Sequence, residues 1–342
     1  MNPTAPARSY DRTTTSRSQI LFWLVVFLIA VVVFSIFLGR YPKPGLITIS
    51  QMQDDLLAQR LVLNLRIPRV LTAMLLGASL AAAGGVFQML FSNPLVDPGF
   101  LGVSQGASFG ASLCIVFLGG SLWAIEGMAA FFACLALALS YFLARRVKYG
   151  GWVLRLVLAG IAVSALFSSG VGLLKYMADP LSQLQAITFW LLGGLSSITW
   201  KQFLFILPVV VVSLAVIFGM RWRLNLLSLN DETAFSLGIA PGRERLILLI
   251  VAVVATAAVT AVAGLVGWIG LIMPHIARRL FGADTRYMVP GSMLCGAAFA
   301  ILCDDLARTL LSGEIPLGII TALLGATIFI YLMIRQKIPV RK

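Results

Sequence analysis

An uncharged run of 19 residues, Ile20–Leu38, constrains the fold of this chain more than any other feature of its sequence. About 20 apolar residues in a helix cross the hydrocarbon core of a bilayer. Similar runs recur to the C-terminus, and 60% of the 342 residues are hydrophobic whereas 11% are charged. The runs lack the period-two alternation of a β-barrel strand. We therefore expect an all-α, polytopic membrane protein.

Ten membrane spans are predicted, with both termini in the cytoplasm. Their estimated ranges are 20–38, 68–91, 99–118, 124–143, 155–175, 203–219, 246–265, 267–281, 289–310 and 317–334. In this topology eight of the 26 lysines and arginines face outward, and the others face the cytoplasm. Cytoplasmic loops of membrane proteins carry such an excess of basic residues. The net charge of +13 therefore requires no nucleic acid partner.

One transmembrane domain is predicted over residues 20–337, because no linker or change of composition marks a second one. Cytoplasmic tails are expected at 1–19 and 338–342, and a cytoplasmic loop at 220–245. The first tail is basic like the start of a signal peptide, but no small-residue cleavage site follows, so we expect the first span to be retained. The sequence has no Gly-x-x-x-x-Gly-Lys-Ser/Thr phosphate loop, so the chain is not itself a P-loop ATPase.

The loop at 220–245 has the signals of a short capped helix. Ser228–Asp231 resembles a capping box, and Gly238 is expected to end the helix. The apolar positions of this helix are expected to contact either a partner protein or the bilayer surface, and the residues alone leave both possibilities open. These positions are Leu229, Ala234 and Leu237.

Charged residues near the end of the ninth span form a second notable cluster. Asp304 and Arg308 are one helical turn apart, which predicts a self-contained ion pair. Arg308 lies on the outer side in the predicted topology, as do Arg66 and Arg69. Three outward arginines are expected either to dock an acidic partner or to extend to the bilayer interface as anchors.

Glycine spacing predicts two close helix contacts. Gly102, Gly106 and Gly110 recur every fourth residue, a pattern that lets helices approach closely. Packing within the chain is favoured over a dimer interface. The segment Gly264–Gly270 carries three glycines at the junction of two spans, which predicts a tight reversal.

No metal site is predicted. The four cysteines lie apart within apolar spans and are expected to be small buried residues. The chain has one histidine, His275, which follows a proline. A transition-metal site needs several ligands close together, and this sequence does not supply them.

Five motifs, taken in order, give the chain a family resemblance. They are Arg66-Ile-Pro-Arg69, Asn93–Val103, Leu226–Glu232, Gly267–His275 and Glu314–Ile319. Together they resemble the transmembrane permease family of type II ABC importers for ferric siderophores, haem and vitamin B12. The resemblance extends from about Ile20 to Lys337, which is nearly the whole chain.

The resemblance implies a transport subunit that is not an enzyme and binds no cofactor. In such importers two permease subunits, identical or different, enclose the pathway in the bacterial inner membrane. Two cytoplasmic ATPase subunits hold ATP and magnesium, and a periplasmic binding protein delivers the substrate. Ferric siderophore is the first expected substrate, then haem, then a cobalamin-type corrinoid.

The resemblance also assigns roles to residues of this chain. The residues that match the positions that dock the binding protein are Arg66, Arg69 and Arg308. The residues that match the coupling region on the ATPase are Leu226, Leu227, Ser228, Leu229, Asn230, Asp231, Glu232, Leu237 and Gly238. The residues expected to gate or line the pathway are Trp152, Val153 and Leu154, in the turn before the fifth span, and Gly160 and Ser164 within it.

A different class of transporter competes with this interpretation. An ion- or proton-coupled carrier would work without an ATPase, and it would need a chain of ionisable groups through the membrane. Spans one to eight contain almost no interior carboxylates. The capped cytoplasmic helix has no evident purpose in such a carrier. Both observations favour the ABC importer.

Overall fold

Apolar helices make up most of the chain that the computed structural model describes, residues 7–41 and 43–334. A short antiparallel pair, β1 (Leu38–Gly39) and β2 (Gly45–Leu46), follows the first helix. The helices are α1 (Ala7–Phe37), α2 (Ile49–Asp54), α3 (Leu56–Leu61), α4 (Ile67–Leu90), α5 (Val103–Phe117), α6 (Leu122–Arg146), α7 (Trp152–Met177), α8 (Gln183–Leu192), α9 (Trp200–Gly219), α10 (Arg221–Leu227), α11 (Asp231–Ser236), α12 (Pro241–Ala263), α13 (Ile269–Phe281), α14 (Thr285–Thr309) and α15 (Leu317–Ile334).

Each of the ten predicted spans falls on one of these helices. Within the described ranges, eight helices are long and apolar enough to cross a membrane. The other two are shorter, with 15 residues in α5 and 13 in α13. The second span starts earlier than predicted, because one π-helical turn at Val62–Arg66 joins α3 to α4 in a continuous stretch of 35 residues. The all-α membrane fold is confirmed.

The predicted tails lie partly outside what the structure describes. Helix α1 begins at Ala7, so residues 7–19 continue the first span as a helix. Residues 1–6 and 338–342 lie outside the described residues.

Helix α4 lies at the centre of the bundle. Along its most apolar stretch 89% of the residues are buried, compared with 11% in α1 and 22% in α15. Its glycines let the backbones of neighbouring helices touch. A Cβ atom at Gly77 would lie 2.0 Å from the Gly296 carbonyl oxygen, and a Cβ atom at Gly84 would lie 1.8 Å from the Gly270 carbonyl oxygen. Small residues at helix contacts allow such close packing within membranes. These two crossings fix α14 and α13 against α4.

The Gly102 series packs inside the chain, as predicted. A Cβ atom at Gly106 would lie 2.4 Å from the Phe132 carbonyl oxygen, and one at Gly110 would lie 2.3 Å from that of Met128. Both oxygens belong to α6. Gly102 is the N-cap of α5 and has a φ of 80°, a left-handed conformation that glycine adopts without strain.

Candidate functional site

Arg69, in the first turn of α4, forms a buried ion pair with α14. Its Nε and Nη2 atoms donate to the carboxylate of Asp304 at 2.9–3.0 Å, and its Nη1 donates to Glu314 at 2.8 Å. Asp304 is 1% exposed. The planar guanidinium satisfies both carboxylates in a fork geometry. Arg69 therefore links α4 to α14 and to the segment before α15.

The expected pair between Asp304 and Arg308 is present, but it is long and it is not self-contained. The Nε atom of Arg308 lies 3.9 Å from Asp304, whereas its Nη2 lies 2.5 Å from Asp305. The Arg308 guanidinium also donates to the carbonyl oxygens of Ser35 and Leu38, at the end of α1. Asp304 makes its shorter ion pair with Arg69, because α4 places that arginine next to it. The spacing of residues along α14 cannot reveal a contact with another helix.

Arg66 fits under the β1–β2 turn. Its guanidinium donates to the carbonyl oxygens of Phe37 at 3.3 Å and Tyr41 at 3.1 Å. A Cβ atom at Gly39 would lie 2.2 Å from the Arg66 Nη2 atom, so a larger residue there would displace the Arg66 guanidinium. Gly39 is a packing position beside Arg66 that the sequence analysis missed.

The three arginines expected to dock a partner line one cleft of about 280 Å³. Arg40 and Glu314 line the same cleft. Arg66 and Arg308 are each less than a tenth exposed, and Arg69 and Arg308 already pair with internal carboxylates. The structure thus brings the three predicted arginines together. It also shows that each of them makes hydrogen bonds or ion pairs within the chain. Their docking role stays a prediction.

A second outer cavity, of about 330 Å³, contains a carboxylate that the sequence analysis overlooked. Glu126, in α6, lines this cavity and is 3% exposed. Gln202 lies beside it, but among the described residues neither carboxylate oxygen of Glu126 has a hydrogen-bond partner. Glu126 is the one carboxylate of α6, and a glutamate within an apolar span was the signal that the sequence offered, because burying an ionisable group in a membrane is costly.

The expected gate at Trp152–Leu154 is helical, not a turn. Gly151 caps α7, and Trp152 is its first residue. The Trp152 ring lies 5.8 Å from the ring of Phe91, and the guanidinium of Arg245 lies 5.1 Å from its centre. Val153 is half-buried and Leu154 is 47% exposed. Trp152 therefore connects the starts of α7 and α12 to the end of α4.

The two expected lining residues of α7 face inward. Gly160 is buried, and a Cβ atom there would lie 2.9 Å from the Phe100 carbonyl oxygen. Ser164 is half-buried beside Gly102. Gly160 therefore packs against the Phe100–Leu101 backbone in this conformation, and its role in lining the pathway stays a prediction. The opposite face of α7 exposes apolar side chains, among them Leu158, Ile161 and Leu166.

The segment expected to couple to the ATPase (the coupling segment, in the loop at 220–245) contains two short helices, α10 and α11. The cap predicted at Ser228 is wrong. Helix α10 continues to Leu227, so Ser228 ends a helix and donates to the Asn225 carbonyl oxygen at 2.7 Å. The N-cap of α11 is Asn230, whose side chain accepts from the Thr233 backbone at 2.9 Å. Gly238, with a φ of 84°, follows the end of α11 as predicted.

This segment presents an apolar surface. Leu227 and Ala234 are buried and Leu226 is half-buried, whereas Leu229 and Leu237 are exposed. Phe235, which the sequence analysis did not single out, is 72% exposed. Asp231 and Glu232 are exposed in the first turn of α11, next to this surface.

Polar contacts fix the coupling segment to the bundle. Asn225 donates to Asp284 at 2.9 Å and accepts from the Thr285 backbone at 2.9 Å. The hydrogen bonds from Arg286 and Asn225 lower the pKa of Asp284 to about 2, so this carboxylate is ionised at neutral pH. Asp231 pairs with Arg245 of α12 at 2.7 Å. A displacement of this segment would therefore reach both α12 and α14.

Comparisons with known proteins agree with this architecture. The model of the FecCD transport family matches residues 27–335. The molybdate import system permease protein MolB of Haemophilus influenzae is 36% identical, over 94% of this chain and 97% of that protein. The hemin transport system permease protein HmuU of Yersinia pestis is 40% identical, over 80% of this chain and 83% of that protein. A solved structure, an inward-facing conformation of a metal-chelate type ABC transporter, has a TM-score of 0.86 at 36% identity and covers 93% of this chain and 100% of that chain.

Replacing Arg69 with alanine is expected to destabilise the protein by about 3–5 kcal/mol, because Asp304 stays buried without its main partner. Thermal unfolding of the full-length chain in detergent measures this loss. Arg286→Ala is the matched control, since its pair with Asp284 is half exposed and such pairs contribute about 0–1 kcal/mol. Equal losses in the two variants would contradict a structural role for the buried pair.

Proposed function

The chain belongs to the FecCD transport family, and from this premise we propose that it forms the pathway by which an ABC importer takes up a bulky iron chelate. Permeases of this family span the membrane several times and are not enzymes, since a separate ATPase hydrolyses ATP. Ferric siderophore is the first proposed substrate and haem the second; a cobalamin-type corrinoid, which is a cobalt chelate and not an iron chelate, is the third. The match to the family from residue 27 to residue 335 carries the proposal.

The exposed face of α7 supports a bulky substrate. Its side chains are apolar, with small hydroxyls at Ser168 and Ser169 among them. Such a surface offers shape and few hydrogen bonds, so a large chelate can pass without being trapped. Molybdate is the alternative to these chelates, because the relative that carries it in its name matches 94% of this chain.

The proposed assembly contains two permease subunits, two ATPase subunits and a periplasmic binding protein in the bacterial inner membrane. Helices α1 and α15 bury few residues within the chain, which leaves them free to meet lipid or the second permease subunit. The apolar surface of Leu229, Phe235 and Leu237 is the proposed contact with the ATPase.

A route for coupling follows from the contacts of α11. The ion pair from Asp231 to Arg245 joins α11 to α12, and Arg245 lies against the ring of Trp152 at the start of α7. Trp152 in turn contacts Phe91 after α4. A movement of the surface that contacts the ATPase would therefore reach α7, the helix proposed to face the pathway, through two side-chain contacts, and the end of α4 through a third.

Reconstitution tests the proposed function. The chain, combined in proteoliposomes with its ATPase and binding protein, is expected to accumulate ferric siderophore, haem or cobalamin only when ATP is supplied. Radiolabelled uptake of each compound, and of molybdate, measures this. Accumulation of molybdate alone would show that molybdate, and not a bulky chelate, is the substrate. Uptake driven by a proton gradient without the ATPase would instead establish the competing carrier class.

Phe235→Ser is expected to weaken association with the ATPase by about tenfold or more, since burying an aromatic side chain contributes about 1.5–3 kcal/mol. Co-purification of the ATPase with the tagged permease measures the effect. Phe189→Ser is the control, because Phe189 is similarly exposed on α8 but lies beside the outer cavity. Normal ATPase recovery with Phe235→Ser would rule out this surface as the coupling contact.

The docking role is best tested at Arg66, whose hydrogen bonds go to backbone carbonyls and not to a buried carboxylate. Arg66→Gln is expected to lower affinity for the loaded binding protein by about tenfold, the contribution of one charge-assisted hydrogen bond. Surface plasmon resonance on the reconstituted complex measures it, with exposed Arg60→Gln as control. Unchanged affinity, or a loss that follows the fall in thermal stability, would argue against docking.

A further inference from the structure

A basic cleft lies where the ends of three long helices meet beside the coupling segment. Its volume is about 320 Å³. Arg145 comes from the last turn of α6, Arg155 from the first turns of α7 and Arg245 from the first turns of α12. Among the described residues that line it, Asp231 is the one carboxylate. The cleft therefore has an excess of positive charge that the described part of the chain does not neutralise.

The arginines of the cleft keep unused hydrogen-bond donors. Arg245 is 9% exposed and pairs with Asp231, yet its Nε atom is buried without a partner among the described residues. The Nε atom of Arg155 is likewise buried and unpartnered within those residues, although its Nη1 donates to the Val147 carbonyl oxygen at 3.3 Å. A buried donor without an acceptor costs about 1–3 kcal/mol. An acceptor that enters the cleft would remove this cost.

Two helix N-termini add to the positive potential. Helices α7 and α12 both begin at the cleft, and in neither does the side chain of the N-cap residue accept a hydrogen bond from the first turn. Unsatisfied backbone N–H groups and the helix dipole favour an anion at such a position. The aromatic side chains of Tyr141 and Trp152 line the same cleft.

We propose that this cleft binds a phosphate-type anion through Arg145, Arg155 and Arg245. Guanidinium groups match the oxygens of phosphate in a bidentate geometry, and several arginines around one cavity are typical of phosphate recognition. The anion is either the headgroup of an anionic phospholipid or a free phosphate from the cytoplasm, since both present the same oxygens. Bound there, it would neutralise the arginines next to the Asp231–Arg245 pair and so hold α11, α12 and α7 together. The inference does not depend on which substrate is transported.

Two binding measurements on the full-length chain test this site. Isothermal titration of the delipidated protein with inorganic phosphate measures the free anion, and native mass spectrometry after incubation with phosphatidylglycerol vesicles measures the lipid. Arg155→Gln is expected to weaken binding by about tenfold, as is Arg145→Gln, which changes an exposed residue and leaves folding intact. Arg155→Lys, which keeps the charge but loses the fork, is expected to give a smaller loss.

Arg146→Gln is the matched control, because Arg146 neighbours Arg145 but lies over the ring of Phe142 and does not line the cleft. If the cleft variants weaken the binding of inorganic phosphate, the ligand is a free anion. If they lower only the retention of phosphatidylglycerol, the ligand is a lipid headgroup. The proposal fails if neither measurement responds, or if Arg146→Gln lowers binding equally. It also fails if the cleft variants weaken only assembly with the ATPase, since a protein carboxylate would then occupy the cleft.

Discussion

The close approach of α4 to α13 and α14 is the constraint on which the rest of the structure depends. Backbone touches backbone at Gly77 with Gly296 and at Gly84 with Gly270, and neither crossing leaves space for a side chain. In a bilayer, where apolar surfaces gain little from leaving lipid, such contacts supply much of the force that holds helices together. They also fix the rotation of α4 relative to α14, and with it the direction in which each polar side chain points.

The outer arginine network follows from that rotation. Arg69 meets Asp304 because the two helices are held in register several turns away, and Arg308 is left to pair with Asp305 and to receive the end of α1. Buried ion pairs add little net stability, but removing one partner is costly. The network therefore specifies how α1, α4 and α14 fit together at the outer surface, and it shapes the cleft proposed to receive the binding protein.

The opposite end of the bundle has a different design. There the arginines are in excess of carboxylates, an exposed aromatic lies on a short helix, and side-chain contacts connect that helix to α7 and α12. The exposed aromatic of this end, and its arginine donors that lack a partner among the described residues, are the features proposed to meet the ATPase and a phosphate-type anion, whereas at the outer end Arg69 and Arg308 pair with carboxylates of the same chain. The proposed ATPase contact and the proposed docking cleft therefore lie at opposite ends of the bundle.

The sequence by itself determined the all-α membrane fold, the positions of its spans and the packing role of the Gly102 series, because hydrophobic length and glycine spacing are local properties. It also placed Arg66, Arg69 and Arg308 at one end. Tertiary structure alone decided which carboxylate each arginine meets, that Gly160 packs inward, and that Glu126 lines a cavity. Those outcomes depend on the rotation and register of helices far apart in the chain, which no local pattern encodes.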